Sequence, residues 1–211
     1  AEQCDRFAND LEHVPADSFV EHALARVKKN FRDHKRIVFE GNGYSPEWEK
    51  EATKRGLPNL KTTPDALPCV IEQSNIDLFA RYGVLNEAEV RARYVSAAEQ
   101  YAKLLNIEAN TMVAMARRMY LPALTSYSAD VATSVAAKAE LGIEARSEKR
   151  TGQSLTEGMN AISDATEELK SKNAAAQAIE DPAKQDNAYR DEVVPAMTKL
   201  TSDADAMEEI C

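Results

Sequence analysis

The sequence predicts a predominantly all-α fold: an elongated up-and-down helical bundle around one long helix, preceded by short helices and ordered loops. Two observations predict it. Apolar residues recur at helical spacings of three and four between Asn86 and Gly142, and only Pro122 interrupts them. The 211 residues are 44% hydrophobic and 29% charged, with 7 Gly and 8 Pro, which is a composition typical of helix-rich globular domains.

Charge and cysteine usage exclude several classes of protein. The net charge of -9 argues against a nucleic-acid partner or an anionic membrane surface, because both need clustered Lys and Arg. The chain has neither a run of about 18 apolar residues nor the basic and apolar regions of a signal peptide, so we expect a cytoplasmic protein. The cysteines are odd in number and widely spaced, which predicts three free thiols at Cys4, Cys69 and Cys211.

Residues 1–85 are predicted to form short helices joined by Pro-containing loops. A first amphipathic helix stops before Pro15, and Asp17 or Ser18 caps a second one. The apolar face of this second helix comprises Phe19, Ala23, Val27 and Phe31.

The stretch 36–44 is the one candidate strand, because Ile, Val and Phe precede two glycines that mark a turn. An extended connector is the alternative. Ser45 as N-cap and Pro46 at the first helical position then begin a short helix that Gly56 ends.

The segment 57–68 is predicted to be a loop, because Pro58, Pro64 and Pro68 disfavour regular structure around them. Loops of this length often have a function. A further short helix begins at Ser74 and closes at a glycine just before the long helix.

The long helix is predicted to run over residues 86–141, which gives a length of roughly 80 Å. Asn86 and Glu89 have the spacing of a capping box at its start. Pro122 removes one backbone hydrogen bond and should kink the helix without ending it. The predicted buried stripe comprises Val90, Tyr94, Ala97, Tyr101, Leu104, Leu105, Met112, Met115 and Met119.

Two more helices, at about 145–179 and 182–210, complete an antiparallel three-helix bundle over residues 86–211. Asp181 and Pro182 supply the N-cap and the first residue of the last helix, which Pro195 should bend. The predicted apolar seams comprise Leu155, Met159, Ile162 and Leu169 in the first of them, and Tyr189, Val193, Met197, Leu200, Ala204 and Met207 in the second.

Several stretches, in one order over nearly the whole chain, carry a family resemblance. They are HKRIVF at 34–39, GNGYS at 41–45, KRGLPNLKTTPDALP at 54–68, NIEA at 106–109, LPA at 121–123 and YRDEVVPAM at 189–197. Together they resemble the C-terminal part of type III glutamine synthetase.

The resemblance implies a parent enzyme of nitrogen metabolism that joins ammonia to glutamate through a γ-glutamyl phosphate, using ATP and Mg²⁺ or Mn²⁺. The family's metal-binding glutamates and phosphate-binding arginines lie upstream of the matched region. No catalytic, cofactor-binding or metal-binding residue is therefore assigned to this chain, and we expect the segment alone to be inactive and to bind no cofactor.

The resemblance further implies an accessory C-terminal domain. Its expected partners are the catalytic domain of the same polypeptide and neighbouring subunits of a homo-oligomer, with no nucleic acid and no membrane. The alternative is a stand-alone helical adaptor or scaffold that binds partner helices.

The individual candidates for a reactive site favour structural roles. His13, His22 and His34 lack the spacing of a metal site. Gly41 and Gly43 lack the Gly-Lys-Ser/Thr of a phosphate loop, which favours a turn.

Three other groups of residues each allow a structural and a functional interpretation. The adjacent pairs Glu167–Glu168 and Glu208–Glu209 point in different directions on their helices, which favours solvated faces over an acid–base pair. Met112, Met115 and Met119 favour a core stripe, with an adaptable partner groove as the alternative. For Thr62–Asp65, contact with the catalytic domain and a structural turn both remain open.

Overall fold

The computed structural model describes residues 2–210, in which every regular element is helical, so the predicted all-α fold class is confirmed. Cys4 and Cys69 are free thiols, whereas Cys211 lies outside the described residues. The helices are α1 (Glu2–Leu11), α2 (Phe19–Asp33), α3 (Pro46–Lys54), α4 (Thr63–Ala66), α5 (Gln73–Arg81), the long helix α6 (Glu87–Met115, Ala116–Tyr120 and Leu121–Glu140), α7 (Arg146–Gln177) and α8 (Pro182–Ala188, Tyr189–Val193 and Val194–Glu208).

The chain divides into two compact units. The first holds the residues up to Lys61 together with Asp77–Val84, and the second holds Thr62–Ile76 and the chain from Leu85 onward. The second unit contains the three-helix bundle of α6, α7 and α8, and the segment Thr62–Ile76 packs against α6 within it.

The stretch 36–44 forms no strand, so the strand interpretation was wrong and the connector alternative is observed. A 3₁₀ turn at Lys35–Ile37 leads into irregular chain. The Arg55 guanidinium donates to the carbonyls of Arg36 at 3.2 Å and Val38 at 2.7 Å. These carbonyls are thus satisfied by a side chain rather than by a neighbouring strand.

The segment 57–68 is irregular only in its first half, so the prediction of one continuous loop was wrong. Helix α4 and a 3₁₀ turn at Leu67–Ile71 occupy the rest. Thr62 caps α4 by accepting the Asp65 N–H at 3.4 Å, and Pro64 lies in the first turn, where an N–H has no helical partner to lose. The prolines therefore start helical turns here.

The predicted start of α6 is confirmed. The Asn86 side chain accepts the Glu89 N–H at 3.0 Å, and the Glu89 carboxylate accepts the Asn86 N–H at 2.8 Å. Two N–H groups without helical partners are thereby satisfied.

Helix α6 is 54 residues long. It continues past Pro122 because its backbone widens by one residue just before the proline. Residues Ala116–Tyr120 form a π turn, in which the Leu121 N–H donates to the carbonyl of Ala116. The wide turn compensates for the donor that proline lacks.

The extra residue of the π turn is visible in the spacing of the buried positions of α6. Ala102, Ala109 and Ala116 follow one another at intervals of seven, Leu124 comes eight residues later, and Val131 comes seven after that. The wide turn thus keeps a heptad-like face directed at the core that α6 shares with α7 and α8 from Ala102 to Val131.

The predicted stripe of α6 is only partly right. Val90 is buried, but Leu104, Met115 and Met119 are exposed, and alanines fill the core-facing positions instead. Small residues allow the backbones of packed helices to approach closely, whereas the larger side chains project from the sides.

The seam of α7 is confirmed, since Leu155, Ile162 and Leu169 are fully buried. In α8, Tyr189, Val193, Leu200 and Met207 are buried as predicted, while Met197 lies at the edge of the face. The residue before Pro195, Val194, donates to the carbonyl of Tyr189, which repeats the π turn found before Pro122.

Gly158 of α7 is expected to be essential to the packing of α8. A Cβ at this position would lie 1.9 Å from the sulfur of buried Met207. Gly158→Ala should therefore destabilise the protein by about 1–3 kcal/mol through overpacking. Urea unfolding monitored by circular dichroism measures the loss, and the added substitution Met207→Ala should reduce the penalty of the Gly158 change.

Gly152, on the same helix, is the matched control. A Cβ there would meet only a Val131 methyl at an ordinary 3.6 Å. Gly152→Ala should stabilise the protein by about 0.5–1 kcal/mol, because alanine is the better helix former. Equal effects at the two glycines would contradict the observed packing.

Candidate functional site

Among residues 2–210, no group of three or more His, Cys, Asp or Glu side chains is arranged to hold a metal ion. No described helix combines the length and hydropathy needed to span a bilayer. The candidate functional features of the described chain are therefore surfaces, ion pairs and buried polar groups.

The histidine and glycine candidates have local partners. The Nδ1 of His22 lies 3.0 Å from the carbonyl of Ser18 on the same helix. The Asn42 side chain accepts the Tyr44 N–H at 3.0 Å, which closes an Asx turn. Gly41 lies against the ring of Phe39, so a side chain at that position would clash.

The adjacent glutamates form ion pairs between helices. The carboxylate of Glu168 on α7 accepts hydrogen bonds from the ammonium groups of Lys199 on α8, at 2.8 Å, and of Lys172, at 3.1 Å. These hydrogen bonds hold the pKa of Glu168 below its usual value. Glu167 pairs with Arg117 of α6. Two neighbouring carboxylates on α7 thus bind two different helices.

The methionines surround a small cavity beside the π turn of α6. The cavity has a volume of about 260 Å³. Its lining includes Met112, Met115, Tyr120, Ile162, Leu200 and Asp205. The Tyr120 hydroxyl donates to Glu208 at 2.9 Å at the same end of the bundle. Met119 lies outside the cavity in an exposed position.

The Thr62–Asp65 segment is attached to the last helix of the bundle. The guanidinium of Arg190 donates to Asp65 at 2.6 Å and to the adjacent Asp191 at 2.7 Å. Asp65 lies in the stretch 54–68 and Arg190 in the stretch 189–197, so an ion pair joins two of the stretches singled out in the sequence.

Asp186 is the most unusual polar group in the second unit. Its side chain is 3% exposed, and one carboxylate oxygen has no hydrogen-bond partner. Burial raises the pKa of Asp186 to about 6. The pKa of Tyr101 on α6 is raised first by its own burial and then by the charge of Asp186.

A second buried polar pair crosses from α7 to α6. The side-chain amide nitrogen of Asn173 donates to the Asn106 side chain at 2.8 Å, and the side-chain oxygen of buried Asn173 has no hydrogen-bond partner. Neither this pair nor Asp186 was predicted from the sequence. The available signal was position: residues 186, 189 and 193 share helical spacing, which places an acid on the apolar face of α8.

Comparison with known proteins identifies relatives over most of the chain. The family model described as the glutamine synthetase C-terminal domain matches residues 23–139. A glutamine synthetase of Butyrivibrio fibrisolvens is 34% identical over 206 residues, covering 95% of this chain and 29% of the relative.

Two further relatives cover shorter stretches. A type-3 glutamine synthetase of Dictyostelium discoideum is 37% identical over 109 residues, covering 52% of this chain and 15% of the relative. A glutamine synthetase of Bacteroides fragilis (strain YCH46) is 30% identical over 129 residues, covering 57% of this chain and 18% of the relative. The chain thus spans less than a third of the length of these curated relatives.

Proposed function

The chain belongs to the glutamine synthetase C-terminal domain family, and on this basis we propose that it is the accessory helical domain of a glutamine synthetase. Its role is to pack on the catalytic domain and to support subunit assembly, and it supplies no reactive group. The parent reaction is the ATP-dependent ligation of ammonia to glutamate, a step of cytoplasmic nitrogen metabolism.

One observation carries this proposal. Nearly the whole chain aligns with the B. fibrisolvens glutamine synthetase, yet it accounts for only 29% of that relative. The matched region includes parts of both units, so the likeness is not confined to one motif. Alignment with a fraction of an enzyme supports the proposal that this chain corresponds to part of such an enzyme.

The donor set of the chain supports a non-catalytic role. ATP-dependent ligases hold Mg²⁺ or Mn²⁺ with several carboxylates and bind the nucleotide phosphates with cations or backbone N–H groups. Several acidic side chains of the second unit instead pair with Lys and Arg, as Glu168 does with Lys199 and Asp65 with Arg190. The described residues therefore do not fit the metal ions of the parent reaction, and no step of it is assigned to them.

The family membership favours this role over that of a stand-alone adaptor. The ion pair between Asp65 and Arg190 joins the segment 62–76 to the last helix of the bundle within the second unit.

A chimera tests the proposal. The B. fibrisolvens glutamine synthetase is prepared in three forms: intact, with the matched segment deleted, and with that segment replaced by this chain. We expect the deletion to lose its assembled mass and its glutamine formation, and the replacement to recover both. Light scattering measures the mass, and a coupled assay measures glutamine.

The deletion form shows whether the enzyme needs the matched segment for assembly or for activity. If it keeps the native mass and full activity, the segment is dispensable for assembly and catalysis, and the proposed accessory role is refuted. A replacement by an unrelated helical bundle of similar length serves as the control, and it should not restore either property.

A further inference from the structure

Helix α2 displays large apolar side chains that no other part of the first unit covers. Val20, Leu24, Val27 and Phe31 are 68%, 55%, 52% and 57% exposed. Their spacing of four, three and four places them in one stripe along the helix. We call these four residues the α2 stripe.

The other side of α2 already has a partner within the first unit. Arg26 pairs with Asp10 of α1 at 2.9 Å, and Ala23, Arg26 and Asn30 are half-buried. The stripe lies next to this contact but outside it. No residue of α2 is fully buried, whereas eight residues of α7 are.

An exposed stripe of this kind marks an interface. Apolar area is unfavourable in contact with water, and contiguous apolar patches on soluble proteins mark sites of interaction. The face repeats at helical spacing, as expected of a helix that lies against another surface. The stripe is therefore suited to bind a complementary apolar surface.

The charge around the stripe defines that surface further. Residues 19–36 hold six Lys or Arg against two acidic residues, while the chain as a whole has a net charge of -9. Lys28 and Arg32 adjoin the stripe on its free side. The complementary surface is thus apolar and bordered by carboxylates.

We infer that the α2 stripe binds another part of the same glutamine synthetase polypeptide, namely the part that has no counterpart in this chain. This inference rests on the proposed function. More than two thirds of the B. fibrisolvens relative has no counterpart in the chain, which leaves ample surface within one polypeptide to cover the stripe. Packing in the same polypeptide also costs less entropy than association with a separate molecule.

Thiol labelling tests the inference. Leu24→Cys is introduced into the isolated chain and into the B. fibrisolvens chimera, and maleimide modification is followed by peptide mass spectrometry, which separates this thiol from the natural cysteines. We expect fast labelling in the isolated chain and labelling slower by about tenfold or more in the chimera. Lys29→Cys, on the opposite face of α2, is the control and should label at similar rates in both.

Each other outcome has a defined meaning. Slow labelling of the isolated chain would overturn the inference, because the stripe would then be covered without the rest of the polypeptide: by a second copy if the mass is doubled, and by the chain itself if it is not. Fast labelling at both positions in the chimera would also overturn it, even if the chimera forms glutamine. A protected stripe in an inactive, unassembled chimera would leave the inference standing and refute the proposed function instead.

Discussion

Leu200→Ala is expected to lower the free energy of unfolding by about 2–5 kcal/mol, the largest loss among the substitutions considered. Leu200 is 3% exposed and lies on the face of α8 that packs against α6 and α7. It also lines the cavity beside the π turn, so its truncation enlarges an existing void. A void that the neighbouring helices cannot fill costs more than the transfer of the lost methyl groups alone.

Lys199→Ala is the control for this experiment. Lys199 is adjacent in sequence but exposed, and Glu168 keeps its second partner Lys172 when the lysine is removed. Exposed ion pairs contribute little to stability. Urea unfolding of both variants should therefore show a large shift of the midpoint for Leu200 and almost none for Lys199. Equal midpoints would mean that the buried face of α8 is assigned wrongly.

Asp186→Asn is expected to raise the stability by about 1–3 kcal/mol at pH 7.5. The pKa of the folded-state carboxyl is raised to about 6, whereas the ordinary value is near 3.9. Between these values the folded protein holds a proton that the unfolded chain has released. Native stability from this group is thus greatest at low pH and falls as the pH rises toward 6.

The pH dependence separates this cause from a simple packing effect. Near pH 4 both Asp186 and its amide replacement are neutral in the folded state, so the gain should disappear there. Asp191→Asn is the control: its carboxylate is bound to Arg190, which lowers its pKa, and its removal should bring no gain at either pH. A gain of equal size at pH 4 and pH 7.5 would contradict the burial of an ionised Asp186.

The features that the sequence predicted are those set by local spacing. The start of α6 depends on Asn86 and Glu89, three residues apart, and the seam of α7 depends on the interval of seven between Leu155, Ile162 and Leu169. Caps and amphipathic seams need no knowledge of the partner, because the residues themselves satisfy backbone groups or define a face.

The features that were missed depend on partners distant in the chain. Pro122 indicates only a lost hydrogen bond, and the π turn that precedes it keeps the alanine face of α6 in register with α7 and α8. The exposure of Met115 and the connector at 36–44 likewise depend on contacts that spacing does not reveal, such as the guanidinium of Arg55. The spacing of Asp186 from Tyr189 and Val193 places it on the apolar face of α8, but spacing alone does not show that an acid on this face is buried.

Under the proposed function, this chain contributes packing to a glutamine synthetase and no chemistry of its own. The most direct measurement is an assay of the isolated 211-residue chain with glutamate, ammonia, ATP and either Mg²⁺ or Mn²⁺. We predict neither ATP hydrolysis nor glutamine above a control without protein. Glutamine formed by a preparation free of full-length enzyme would contradict the claim.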